Sequence, residues 1–189
     1  DRSKRFFSLM EFEKYTERSR GFFQAAKDLA EQSNHQQLTP LHLLKVLLND
    51  KDGLGAKLIR VAGGKPEIGL KSVETELDKL ACVKGDGAGQ IFLSKETENL
   101  MQQSEQIAKK AGDKFVTAEK LLLAITVSKG TIAAKVLADA GVTVQNMNKA
   151  IENLRKGHTA NSPNVEDTYD ALNRYALDLT IAAAEGKID

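Results

Sequence analysis

Apolar and polar positions recur along this chain with a helical period. Tyr15, Ser19, Phe22, Phe23, Ala26, Leu29, Ala30 and Ser33 fall three or four residues apart, which predicts an amphipathic helix. Thr39-Pro40 is a start signal: the threonine can cap, and proline in the first turn sacrifices no helical hydrogen bond. The run LHLLKVLL at 41–48 is apolar enough for a buried helix. Shorter helices are predicted at 56–62, stopped by Gly63-Gly64, and at 66–80. The stretch KGDGAG at 84–89 has no periodicity and reads as a loop. Ser94 then caps a helix with Thr97, Leu100, Met101, Ser104, Ile107, Ala108 and Ala111 inward, ended by Gly112. Thr117 opens the next, through Leu121, Leu122 and Ile125, and helices at 133–140 and 144–155 complete the set. No stretch combines strand alternation with hairpin turns, so the predicted fold is all-α.

The pattern repeats with an offset of 78 residues. Phe22 and Phe23 match Leu100 and Met101, and Leu29-Ala30 matches Ile107-Ala108. Leu38-Thr39 matches Val116-Thr117, Leu43-Leu44 matches Leu121-Leu122, and Ala62-Gly63 matches Ala140-Gly141. Apolar positions and helix punctuation keep one register together, which points to duplication of a four-helix unit. Each copy leaves an apolar face that stacking on the other would bury, giving one domain with pseudo-twofold symmetry. The expected layout is a first repeat at about 10–80, a second at about 94–156 and the glycine-rich loop between them. Residues 1–9 read as an extension ahead of Met10, because their apolar patch is too short for a signal peptide and no small-residue cleavage site follows. Residues 158–164 are polar and contain proline, which predicts a linker. Val165, Tyr169, Leu172, Tyr175, Ala176, Leu179 and Ala183 then predict a last helix ending at Gly186, outside the repeat and leading toward a further domain.

Composition narrows the chemistry. Of 189 residues, 27 are Lys or Arg and 26 are Asp or Glu, for a net charge of +1. This lacks the basic excess usual in a nucleic-acid binder, and the basic residues of 1–9 decide its sign. One cysteine, Cys82, excludes an internal disulfide and a Cys-built zinc site; it is expected to be a small buried apolar side chain. No run of 18 apolar residues suggests a membrane span, and a cytoplasmic location is expected. His42 lies inside an apolar helix and is expected to be packed and hydrogen-bonded, His35 reads as a loop residue, and the histidines lack zinc spacing. No phosphate-cradling glycine motif and no nucleophile–base pair appear. No cofactor is expected on this chain, and no enzymatic activity.

The segment GDKFVTAE at 112–119 resists a purely structural account. Asp113 and Glu119 flank a helix N-terminus, where the dipole favours carboxylates, and that role explains one of them. Phe115 corresponds to Gln37 in the first copy, so it is expected to be partly exposed or packed at a seam that only one half possesses.

YTER at 15–18, HQQLTPLHLLKVLL at 35–48, GDKFVTAE at 112–119, and YALDLT at 175–180 through GKID at 186–189 together resemble the N-terminal domains of the bacterial Hsp100-class disaggregases, the Clp N-domain family. The resemblance covers residues 10–189. One departure is Leu41, where the family often has Glu after the proline, which leaves Glu119 as the surviving counterpart. The resemblance implies two four-helix repeats held by a flexible linker above a hexameric ring. The ring would use ATP and Mg to thread aggregated polypeptides, working with the DnaK system. It also implies that this domain is a monomer by itself and holds unfolded or aggregated clients weakly. A related possibility is docking of adaptors on a protease-associated Clp ATPase. Carried over by position, Thr16, Asp113 and Glu119 are expected to contact clients. Phe23, Ile107 and Phe115 are candidates for an apolar groove, with core packing as their alternative. On this reading, Asp113→Ala or Glu119→Ala should weaken client binding while leaving the thermal melt nearly unchanged.

Overall fold

The computed structural model describes residues 12–85 and 90–167. After a 3-10 turn at Phe12–Lys14 come α1 (Glu17–Gln32), β1 (Gln37–Leu38), α2 (Pro40–Leu48), α3 (Leu54–Val61) and α4 (Pro66–Asp78). The second half brings β2 (Phe92–Leu93), α5 (Lys95–Lys110), α6 (Ala118–Val127), α7 (Ile132–Asp139) and α8 (Val144–Arg155). The fold is all-α, as the periodicity predicts, apart from two-residue strands too short to leave a pattern. Four pairs of helices begin 78 residues apart: α1 and α5, α2 and α6, α3 and α7, α4 and α8.

Local chemistry sets these boundaries. Thr16 and Ser94 occupy the same place in the two copies, and each side chain accepts the backbone N–H three residues on, from Ser19 and Thr97. The chain leaves α1 and α5 through Asn34 and Gly112, both left-handed at φ 59° and 78°. It leaves α3 and α7 through Gly63 and Gly141, at φ 90° and 96°.

The halves interlock. Gln37 and Leu38 of the first half pair in parallel with Phe92 and Leu93 ahead of α5. Reciprocally, Val116 of the second half bridges Tyr15 ahead of α1. The Val116 amide donates to Lys14 O at 2.7 Å, and the Thr16 amide to Val116 O at 3.0 Å. Helix contacts cross in matching pairs too: α1 touches α6 as α5 touches α2, α3 touches α8 as α7 touches α4, and α2 meets α6 between them. One core results, running from Tyr15 and Phe23 through Leu43, Leu44 and Ile59 to Leu121, Leu122, Ile125 and Ile151.

Two expectations fail. Cys82 is exposed, because it lies in the extended segment after α4 rather than on an inward helical face. The segment at 158–164 is no free linker: Ala160 is fully buried, and the chain is hydrogen-bonded to the body before turning helical at 165–167. The helix expected to run on to Gly186 lies otherwise outside the described residues, as do residues 1–9 and 86–89.

Candidate functional site

Thr16, Asp113 and Glu119 converge on one place. The bridge between Tyr15 and Val116 brings the N-terminus of α1 beside the turn that precedes α6. Gly112, left-handed, swings the chain out of α5 so that the Asp113 amide caps Ala108 O at 2.9 Å and its carboxylate faces inward. Glu119 sits in the first turn of α6, where the helix dipole favours its charge.

Arg155, the last residue of α8, ties these groups together. Its Nη1 donates to Asp113 Oδ1 at 2.6 Å, its Nε to Glu119 Oε1 at 2.7 Å, and its Nη2 to Thr117 Oγ1 at 2.7 Å. All of these side chains are buried. Hydrogen bonds and charge from both carboxylates outweigh the cost of burial and hold the guanidinium charged. Lys120 is buried alongside; burial and Arg155 push its ammonium pKa down, while the carboxylates oppose that shift. Among the described residues, Asp113 Oδ2 and Glu119 Oε2 have no hydrogen-bond partner.

Residues 158–167 lie across this cluster. Lys114 and Phe115 donate their amides to Ala160 O at 2.9 and 3.2 Å, and the Ala160 amide donates to Asp113 Oδ1 at 2.9 Å. The Glu17 amide donates to Pro163 O at 2.7 Å. Glu166 reaches into the cluster: its Oε1 accepts from Thr16 Oγ1 at 2.7 Å and from the Ala118 amide at 3.3 Å. Arg18 Nε is 3.9 Å from its other oxygen, and Arg18 Nη2 bonds Asp167 Oδ1 at 2.9 Å. Burial above all, and nearby Glu119, push the Glu166 pKa up to about 7; the bonds from Thr16 and Ala118 and the charge of Arg18 offset part of this.

The apolar candidates scatter. Phe23 is fully buried in the core, its ring edge-on to Tyr15 at 5.6 Å, and has no surface to offer a groove. Ile107 is half-buried against the core. Phe115 is half-buried beside the cluster, and its amide bonds a segment that follows only the second repeat, so it combines partial exposure with the one-sided seam. Thr16 and Glu119 are fully covered and Asp113 nearly so, so removing either carboxylate breaks a buried ionic cluster. The expectation of an unchanged melt therefore gives way to a substantial loss of stability.

Arg155 and Glu166 were missed from sequence. Arg155 carried a signal: it continues the inward face of Met147, Ala150 and Ile151, and its counterpart 78 positions earlier is Leu77. Glu166 carried none. The same comparison places His35, Leu41 and His42 opposite Asp113, Glu119 and Lys120. In the first half His42 Nδ1 accepts the Thr39 amide at 3.0 Å, so Nε2 holds the proton and donates it to His35 Nδ1 at 2.8 Å. His42 is thus packed and bonded as expected, and His35 is a loop residue drawn into the interior.

The family model for the Clp repeat N-terminal domain matches residues 14–130. The chain is 52% identical to the chaperone protein ClpB of Rhodopseudomonas palustris over 180 residues, covering 95% of this chain and 20% of that protein. It is 49% identical to ClpB of Mesorhizobium japonicum, covering 95% and 21%. It therefore spans about a fifth of the length of the curated relatives it matches. Among solved structures, the Hsp104 N-terminal domain from Candida albicans aligns with a TM-score of 0.69 at 20% identity, over 80% of this chain and 97% of that one. A complex of the ClpV N-domain with a VipB peptide aligns with a TM-score of 0.59 at 17% identity, over 78% and 89%. At such identities the structural likeness speaks for the fold.

Proposed function

The chain belongs to the Clp N-terminal domain family, and from that premise we propose that it is the client-binding module of an ATP-driven disaggregase. It holds unfolded or aggregated polypeptide weakly and passes it to an ATPase ring. The observation that carries this reading is the cleft around Thr16, Asp113 and Glu119, in which a polypeptide segment is seated by main-chain hydrogen bonds. The amides of Glu17, Lys114 and Phe115 and the Asp113 carboxylate, bonded here to the main chain of residues 160 and 163, can bind the repeating groups of any extended chain, with no demand on its side chains. Such recognition suits clients of unrelated sequence, and weak holding suits transfer.

Thr16, Asp113 and Glu119 act here as the polar floor of the cleft and Phe115 as its apolar edge; Phe23 and Ile107 support it from the core side. The module itself is non-catalytic. ATP and Mg belong to the ring modules of the longer protein, which is hexameric, cytoplasmic and coupled to the DnaK system in this reading. The alternative, adaptor docking on a protease-associated Clp ATPase, is less favoured, because the relatives matched over 95% of the chain are ClpB chaperones.

The test is a titration of isotope-labelled chain with unlabelled casein, an unfolded polypeptide. Shifts concentrated at the amides of Glu17, Lys114, Phe115 and Ala118 are the expected result. Shifts confined to surfaces away from this cleft refute the assignment.

A further inference from the structure

We propose that residues 158–167 are a built-in competitor for the polypeptide cleft, which an unfolded client displaces to reach Thr16, Asp113 and Glu119. This rests on the client-binding reading and adds how the site is regulated. The segment binds as an unfolded client would: the Ala160 carbonyl and amide and the Pro163 carbonyl bond the cleft through the main chain. It is lightly attached. Its buried apolar residues, Ala160 and Val165, form a cluster of their own, separate from the main core. The remaining hold is polar: Glu166 inside, and the exposed pair of Arg18 and Asp167 outside.

The segment is also an imperfect occupant. It brings a carboxylate into a cluster that already contains Asp113 and Glu119, where Asp113 Oδ2 and Glu119 Oε2 are buried with no hydrogen-bond partner among the described residues. An incoming chain that offers amides or basic side chains there satisfies those acceptors, which Glu166 cannot do. Beyond Asp113 the surface continues as a concavity of about 320 Å³ lined by Lys14, Glu105, Lys109, Lys114 and Val116, with room for a chain longer than the docked one. Tethering gives the segment a high effective concentration. Client affinity is then scaled down by the small fraction of molecules in which the cleft stands open.

Ala160→Glu and Val165→Asp, made separately, each force a charge into a buried apolar position of the segment and release it. Hydrogen exchange reports the release as faster exchange at the Lys114 and Phe115 amides, which bond Ala160 only when it is docked. In both variants the affinity for fluorescein-labelled casein is expected to rise about tenfold. A synthetic peptide of residues 158–167, added to the released variants, is expected to displace the casein. Faster exchange with unchanged or weaker casein binding overturns the proposal, as does a peptide that fails to compete. If casein binds wild type and both variants equally, the competitor role falls and client binding stands. If casein binds none of them, both readings fall.

Discussion

Two titratable side chains make opposite use of burial. Glu166 is held above the usual carboxylate range, so its charge is a liability in the docked state. Its contribution to docking is complete below about pH 4.5 and is lost as pH rises through about 7. The groups facing it are Thr16, the Ala118 amide, Glu119 and Arg18, and of the two charged ones Glu119 repels and Arg18 attracts. Protection of the Lys114 and Phe115 amides, corrected for intrinsic exchange, is therefore expected to fall between pH 5 and 8, with Glu166→Gln flattening the profile. His42 behaves conversely. Burial first, then His35, lowers its pKa to about 4 against the bond from Thr39, so the folded state prefers the neutral ring. Its contribution is present above pH 6.5 and disappears as pH falls through about 4, with a ceiling of about 3 kcal/mol. Urea unfolding followed from pH 7 to 4.5 should show this loss in wild type and much less of it in His42→Gln.

The paired helices show one scaffold solved with two chemistries. Where α2 and α4 present Leu41 and Leu77, α6 and α8 present Glu119 and Arg155, and all four side chains are buried. Removing one partner strands a buried charge, so Arg155→Leu is expected to cost about 3–5 kcal/mol in urea unfolding. Replacing the three ion-paired side chains together, as Asp113→Asn with Glu119→Leu and Arg155→Leu, puts the first half's leucines at 119 and 155 and should cost less than the single change, about 1–2 kcal/mol. A triple variant as unstable as the single one would show that the ionic cluster has no apolar substitute at that site. The ion cluster also gives the second half a polar floor under residues 158–167, where Asp113 accepts the Ala160 amide. The duplication, the caps and Arg155's odd place on an inward face are legible in the residues themselves. The convergence of Arg155 on Asp113, Glu119 and Thr117 is not, because it depends on where the end of one helix meets the start of another.

Across the molecule, strand exchange makes each half depend on the other. Tyr15 needs Val116, Leu38 needs Leu93, and the two apolar faces close only on one another. Unfolding is accordingly expected to be one cooperative transition, with circular dichroism and tyrosine fluorescence giving coincident curves. The crossing point is tight: a Cβ on Gly64 would lie 2.9 Å from both Ala140 O and Val142 Cγ2. Gly64→Ala should therefore lower the melting temperature by several degrees, about 1–3 kcal/mol of overpacking, although the backbone there demands no glycine.

Periodicity, capping residues and the 78-residue register determined the helices, their order and the two-copy plan, because each of these is written within a few neighbouring positions. Tertiary structure alone decided that Arg155 and Glu166 join Asp113 and Glu119, that Phe23 belongs to the core, and that a stretch with the composition of a linker lies docked across the cleft. Two-residue strands have no period to read. Main-chain bonds such as Lys114 to Ala160 leave no trace in side-chain identity, and Glu166 meets Thr16 only because the folded halves bring residues 150 positions apart to the same place.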